Sequence, residues 1–106
     1  MKKWFSVETF FEGINMSMTN VTSLWEQSII LVEAENNERA KTNAKKIAIE
    51  NEHEYQAIDG SVIKWKFRDL GNVFEVDSES LVDGIEIFSR FLRESEVKSL
   101  LTPYKE

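Results

Sequence analysis

The chain contains no cysteine, only one histidine and one proline, and its longest purely apolar run is four residues, 29–32. Without cysteine there is no disulfide, no thiolate nucleophile and no thiolate metal site. The single histidine, His53, excludes every multi-histidine metal site. A run of four is far below the roughly 20 apolar residues that a membrane-spanning helix needs. The N-terminus begins like a signal peptide, but Glu8 and Glu12 interrupt the apolar segment, so we expect no export signal.

What remains has the composition of an ordinary soluble domain. The 106 residues suit a single domain over residues 1–106, with enough chain to bury one core without disulfides. Thirteen basic residues against nineteen acidic ones give a net charge of −6. The four glycines are isolated from one another, and the shortage of proline suits long strands, since proline removes a ladder donor.

The first half of the chain reads as two strands and a helix. Residues 3–12 alternate with aromatics on both faces, which predicts a strand that is central or covered on both sides. Residues 24–33 are rich in β-branched side chains and predict a second strand, after a loop over 13–23. Asn36 or Asn37 stands where a helix N-cap belongs, and the helix should run to about residue 51. Its buried stripe is predicted to consist of Ala40, Ala44, Ile47 and Ala48.

The second half predicts further strands and a short helix. Asp59-Gly60 is a hairpin signal between strands at 55–58 and 61–70. Gly71 should mark a bulge, with 72–77 still extended, and residues 85–92 should form the last strand. Residues 95–101 read as a helical tail. We therefore expect an α+β fold, with an antiparallel sheet of about five strands, one main α-helix on one face and a short C-terminal helix.

Negative charge is concentrated in one window. Residues 69–89 contain no lysine or arginine and carry −6, the net charge of the whole chain. Such a window produces a directed field that attracts a basic partner and repels nucleic acid. A solvated set of turns and strand edges would have the same composition. The candidate partner-binding residues are the six acids of this window: Asp69, Glu75, Asp77, Glu79, Asp83 and Glu86.

Basic and aromatic residues interleave over 64–68, as they do on sheets that bind single-stranded nucleic acid. In a strand, however, Lys64 and Lys66 point to one face and Trp65 and Phe67 to the other. One face then cannot both stack bases and hold phosphates. We expect a half-buried strand with a basic outer face. Trp4, Trp25 and Trp65 all fall in predicted strands, and we expect them in the core.

Catalytic and metal-binding patterns are weak. Glu50-x-x-His53 has the spacing of a helical metal-ligand pair, but di-iron sites need a second pair and two more glutamates. We expect His53 at the helix C-terminus, where an imidazolium is stabilised by the helix dipole. Composition leaves a Ser-His-Asp triad open, although no nucleophile-turn or phosphate-loop motif is present. We expect no enzyme, no metal and no cofactor.

Two patches resemble a known family. Leu24-Trp25-Glu26 and the segment 83–90, Asp-Gly-x-Glu-x-Phe-Ser-Arg, are similar to those of a family of small bacterial proteins classed only as a domain of unknown function. The resemblance covers nearly the whole chain and implies a soluble single-domain bacterial protein. It supplies no activity and no catalytic residues that could be carried over to this chain. By type alone, small acidic cysteine-free α+β proteins also resemble the immunity proteins paired with secreted toxins.

The leading hypothesis is a cytoplasmic protein-binding module. In its most concrete form it is an immunity protein that neutralises a basic, nuclease-type toxin by occluding its active cleft. The alternatives are a self-associating sheet protein with a small-ligand pocket, and a minor enzyme that uses His53 and a nearby carboxylate. We expect no nucleic acid or membrane partner, and the sequence leaves monomer and homodimer both open.

Overall fold

The computed structural model describes residues 2–17, 24–77 and 81–102, and these form four strands and two helices. The expectation of about five strands is wrong, because one of the segments expected to be a strand has no ladder. The elements are β1 (Lys3–Asn15), β2 (Leu24–Ala34), α1 (Asn37–Glu50), β3 (His53–Gln56), β4 (Val62–Val76) and α2 (Glu94–Leu101). No helix in these ranges is long and apolar enough to cross a bilayer.

The four strands form one antiparallel sheet in the order β2-β1-β4-β3. β1 is therefore central, as its aromatics on both faces predicted. Its N-terminal end lies beside the C-terminal ends of both neighbours, since Trp4 is opposite Glu33 on β2 and Val76 on β4. The other end of the sheet contains β3 and the start of β4, where Gly13 lies opposite Trp65.

Helix α1 covers one face of this sheet, which we call the helix face and which includes Phe5 and Val7. Asn36 is the N-cap, and its Oδ1 accepts a hydrogen bond from the Arg39 backbone N–H at 2.9 Å. Three alanines spaced four apart lie buried against the strands, which lets the helix approach the sheet closely. The predicted stripe is wrong only at Ile47, which is exposed. The core cluster comprises Phe5, Val7, Val32, Ala34, Ala40 and Ala44.

Residues 85–92, which we call the strap, are not a strand. They lie across the opposite face of the sheet, the far face, which includes Ser6 and Glu8. The Ser6 hydroxyl donates a hydrogen bond to the Ile87 carbonyl, and the Phe88 ring lies 6.3 Å from that of Phe74. The alternation of apolar residues in the strap matches a strand, but its contacts are with the sheet's face and not with an edge, so no ladder forms.

The irregularity predicted at Gly71 is confirmed. Val7 pairs with Val73 and Thr9 with Leu70, so that two residues of β4 oppose Glu8 alone. This is a β-bulge. A Cβ at position 71 would lie 2.7 Å from Oε1 of Glu8 and 2.9 Å from Cβ of the same residue. Glycine is required here because the Glu8 side chain occupies the space that a larger residue would need.

Replacing Gly71 with alanine should therefore destabilise the protein. We expect Gly71→Ala to lower the free energy of unfolding by about 1–3 kcal/mol, the usual cost of forcing extra volume into a packed site. The measurement is urea unfolding followed by tryptophan fluorescence. Asn72→Ala is the matched control, because the side chain it removes is exposed and the backbone N–H that bonds to Glu8 is kept. This substitution should change the free energy of unfolding by about 0.5 kcal/mol or less. Equal effects of the two substitutions would contradict the close approach.

Candidate functional site

Five of the six acidic candidates are described by the structure, and all five are exposed; Glu79 lies outside the described residues. Asp69 is opposite Phe10 on the far face, and its Oδ1 accepts the Leu70 backbone N–H at 2.8 Å. Glu75 is opposite Phe5, so it lies on the helix face. In a regular strand two residues six positions apart would share a face, but the bulge at residues 71–72 shifts the alternation and places these two carboxylates on opposite faces.

The remaining described acids follow β4 closely in the chain. Asp77 follows β4 directly, and Asp83 lies in the connection that leads to the strap. Glu86 immediately precedes Ile87, whose carbonyl is bonded to Ser6 near the start of β1. The candidates at this end of the sheet are Glu75, Asp77, Asp83 and Glu86.

The strand register adds two acids that sequence reasoning missed. Glu33 is opposite Trp4, and Glu35 follows the last pair, Lys3 with Ala34, so both lie at the same end of the sheet as Asp77. They come from a distant part of the chain, so no window of sequence could reveal them. Only the pairing of β2 with β1 shows that Glu33 and Glu35 lie at this end of the sheet. We call the set Glu33, Glu35, Glu75, Asp77, Asp83 and Glu86 the acidic end.

Most of these acids have no ion-pair partner among the described residues, although Lys2 and Lys3 lie at the same end of the sheet. Glu75 forms an exposed ion pair with Lys3, at 3.4 Å. Within the described ranges, no lysine or arginine forms an ion pair with Glu33, Glu35, Asp77, Asp83 or Glu86. The negative field at this end therefore extends into solvent.

The basic and aromatic residues of β4 lie on opposite faces. Lys64 and Lys66 are opposite Ile14 and Glu12 on the far face. The Trp65 ring lies over Gly13 on the helix face, where a Cβ would be 2.9 Å from the indole. No single surface then combines stacking with phosphate contacts. The core expectation for the tryptophans is wrong for Trp4 and Trp25, which are exposed.

The Glu50/His53 pair is not assembled on a helix. Glu50 ends α1, and His53 begins β3, where its ring stacks on Tyr55 at 6.4 Å. His53 Nδ1 lies 3.1 Å from the Asn51 carbonyl oxygen. We expected His53 at the C-terminus of the helix, and this is wrong: the helix ends at Glu50, and His53 is the first residue of the next element, β3. Over the described residues no three His, Cys, Asp or Glu side chains form a group that could hold a metal ion.

A small cleft of about 140 Å³ lies between the C-terminal end of α1 and the sheet. His53, Glu26 and Trp65 contribute to its lining, whereas Glu50 does not. A pocket that held both Glu50 and His53 would have favoured the enzyme alternative, and this cleft lacks that pair.

The most unusual side chain is Glu8, a carboxylate that is 1% exposed in the middle of the far face. Its Oε1 accepts the Asn72 backbone N–H at 2.9 Å, at the bulge in β4. Its Oε2 accepts a hydrogen bond from the Gln27 amide of β2, and Arg90 Nε of the strap lies 3.6 Å away. Sequence reasoning placed Glu8 on a strand face without foreseeing its burial, because its partners come from three other segments.

Two carboxyl groups elsewhere have altered acidity. Hydrogen bonds from the Ser61 hydroxyl and then its backbone N–H lower the pKa of Asp59, in the turn before β4. The Arg93 backbone N–H, followed by its side chain, lowers the pKa of Glu96 at the start of α2. Both interactions fix a local turn, so neither marks a reactive group.

Comparison with known proteins supports the resemblance seen in the sequence. The model of a family described as Domain of unknown function (DUF4288) matches residues 4–89. That range includes all of the sheet except Lys3, together with α1 and most of the strap, and it ends before α2. No curated protein matches the chain. No solved structure matches it either.

The contact between Glu8 and Arg90 should couple the strap to the sheet. We expect a double-mutant cycle with Glu8→Gln and Arg90→Met to give a coupling energy of about 2 kcal/mol, because the carboxylate is buried and the pair is charged. Equilibrium unfolding of the four proteins measures it. The control is a cycle with Glu94→Gln and Lys98→Met, an exposed pair 3.7 Å apart in α2. Such pairs contribute about 0.3–0.5 kcal/mol, so a Glu8–Arg90 coupling no larger than this would contradict the prediction.

Proposed function

The chain belongs to the DUF4288 family, and we propose that it is a protein-binding module that engages a basic protein through the acidic end. In concrete form, it is a cytoplasmic immunity protein that neutralises a basic, nuclease-type toxin by occluding the toxin's active cleft. The observation that supports this is the gathering of exposed acidic side chains at one end of the sheet, most of them without an ion-pair partner among the described residues.

The chemistry of the partner follows from that of the surface. A nuclease binds a polyanionic phosphate backbone, so its active cleft is lined with lysine and arginine. A protein surface with several uncompensated carboxylates is attracted to such a cleft and is repelled by nucleic acid. A binding module needs only a folded scaffold and a complementary surface, so its function requires no catalytic group.

The set of residues proposed to contact the partner differs from the six acids of the sequence window: one of them is left out, and two acids from β2 and the residue after it are added. Asp69 lies on the far face away from the others, so we leave it outside the main contact surface. Glu33 and Glu35 join that surface through the β1–β2 register. Glu79 lies outside the described residues and stays a prediction from the sequence.

Reversing charge at the acidic end should slow association. We expect Asp83→Lys with Glu86→Lys to reduce the association rate with the captured basic partner by about ten-fold at low salt, because electrostatic steering is lost. At physiological ionic strength the difference should shrink, since screening limits the field to about 8 Å. The partner is captured from lysate of the native host and identified, and binding kinetics are then measured at both salt concentrations.

The matched control is Glu50→Lys with Glu54→Lys, which makes the same change in net charge at the opposite end of the sheet. Both control residues are exposed, at the end of α1 and on β3. A rate loss confined to the Asp83/Glu86 variant supports the acidic end as the contact surface. Equal losses, or an acidic partner, would contradict it. If the partner is a nuclease, adding the wild-type chain should inhibit it, and the Asp83/Glu86 variant should inhibit it less.

A further inference from the structure

β2 is an edge strand whose outer side has no partner within residues 2–17, 24–77 and 81–102. It pairs with β1 over all 11 of its residues without a bulge, so the edge is long and regular. Its sequence, Leu-Trp-Glu-Gln-Ser-Ile-Ile-Leu-Val-Glu-Ala, contains no proline, glycine or lysine. Natural proteins protect sheet edges with proline, with charged side chains and lysine above all, with bulges, or by keeping the edge strand short; of these β2 has only the two glutamates Glu26 and Glu33. β3, the other edge strand, has only four residues.

The far-face side chains of β2 are also uncovered. Trp25, Ile29 and Leu31 are 54%, 44% and 42% exposed. They are opposite Glu12, Glu8 and Ser6 of β1, so they form a row beside the strip that the strap covers. An open ladder and an apolar row therefore lie on the same strand.

We propose that β2 pairs antiparallel with β2 of a second copy of this chain, about a twofold axis near Ile29, to form a continuous eight-stranded sheet. Ile29 is the middle residue of the strand. Across a twofold axis the same edge is used by both copies, so the unpaired backbone N–H and C=O groups of both β2 strands bond to each other. No further copy can then add to either edge, so the assembly stops at a dimer.

The charge pattern of β2 favours a second copy of this chain as the partner of the strand. In the register centred on Ile29, Glu26 is opposite Val32 of the second copy, and Glu33 is opposite Trp25. No glutamate is directly opposite another, which would be destabilising. Ile29 is opposite its own copy, and the two apolar rows become continuous on the far face.

The chain is more extended than a compact domain of its length. Its radius of gyration is 16.4 Å, whereas a compact domain of about 100 residues has a radius of about 13 Å. The proposed interface uses the side of β2, whereas Asp77, Asp83 and Glu86 lie beyond the end of β4. Self-association and binding of a basic partner therefore share Glu33 of β2 but otherwise use different residues.

The absence of cysteine allows a sharp test. A single Ile29→Cys variant places one thiol on the proposed axis, where directly opposed Cα atoms are about 4.5–5.5 Å apart, within the range for a disulfide. Trp25→Cys is the matched control, because it lies on the same row and is also exposed. The two copies of Trp25 would be eight positions apart along the strands, about 27 Å.

Under a mild oxidant, we expect Ile29→Cys to form a disulfide-linked dimer at least about ten-fold faster than Trp25→Cys, since only the first pair lies within disulfide reach. Trp25→Cys combined with Glu33→Cys should restore cross-linking, because these residues are opposite across the axis. Equal rates for the two single variants would overturn the proposal.

Sedimentation equilibrium supplies a measurement without any cross-link. The wild-type chain should have twice the monomer mass of 12.4 kDa. Ile29→Lys should give the monomer mass with an unchanged circular dichroism spectrum, because two lysines would meet at the axis. Tyr55→Lys, at an exposed position on β3, should leave the dimer intact. A monomeric wild-type chain, or a dimer that Ile29→Lys leaves intact, would overturn the proposal without affecting the acidic end.

Discussion

A carboxylate cannot remain charged inside a protein unless its oxygens are satisfied, and in this fold Glu8 imposes that requirement on three other segments. β2 supplies the Gln27 amide, and the bulge in β4 turns the Asn72 backbone N–H toward the carboxylate. The strap supplies Arg90. The bulge itself depends on glycine at position 71, where any side chain would collide with Glu8. One buried group thus links the irregular strand, the edge strand and the C-terminal segment.

The same arrangement gives the two faces of the sheet different roles. The helix face is closed by the alanines of α1 and forms the core. Among the described residues, the strap covers one strip of the far face, and the apolar row of β2 is exposed beside it. The strap starts at the end of the sheet where β4 finishes, so Glu86 lies near the end that holds Glu33 and Glu35. The position of Glu86 is therefore tied to the same segment that brings Arg90 to Glu8.

Features that depend on neighbouring residues could be predicted from the sequence. The Asn36 cap, the alanine stripe, the turn at Asp59 and the bulge at Gly71 follow from local chemistry and spacing. Features that depend on pairing could not. The strap alternates apolar and polar residues as a strand does. This alternation is the same whether the segment pairs with the edge of a sheet or packs across its face, so the sequence could not distinguish the two. The burial of Glu8 and the exposure of Trp25 also depend on which segment covers the far face.

The contacts of β1 also determine when the protein can finish folding. Glu8 and Asn72 are 64 positions apart in the chain, and Ser6 and Ile87 are 81 apart. Such distant contacts make folding slow, because much of the chain must be ordered before they form. β1 and β2 are close in sequence and can pair early during synthesis. The other side of the central strand, however, stays open until β4 has been made, and its buried carboxylate gains Arg90 only when the strap has followed β4.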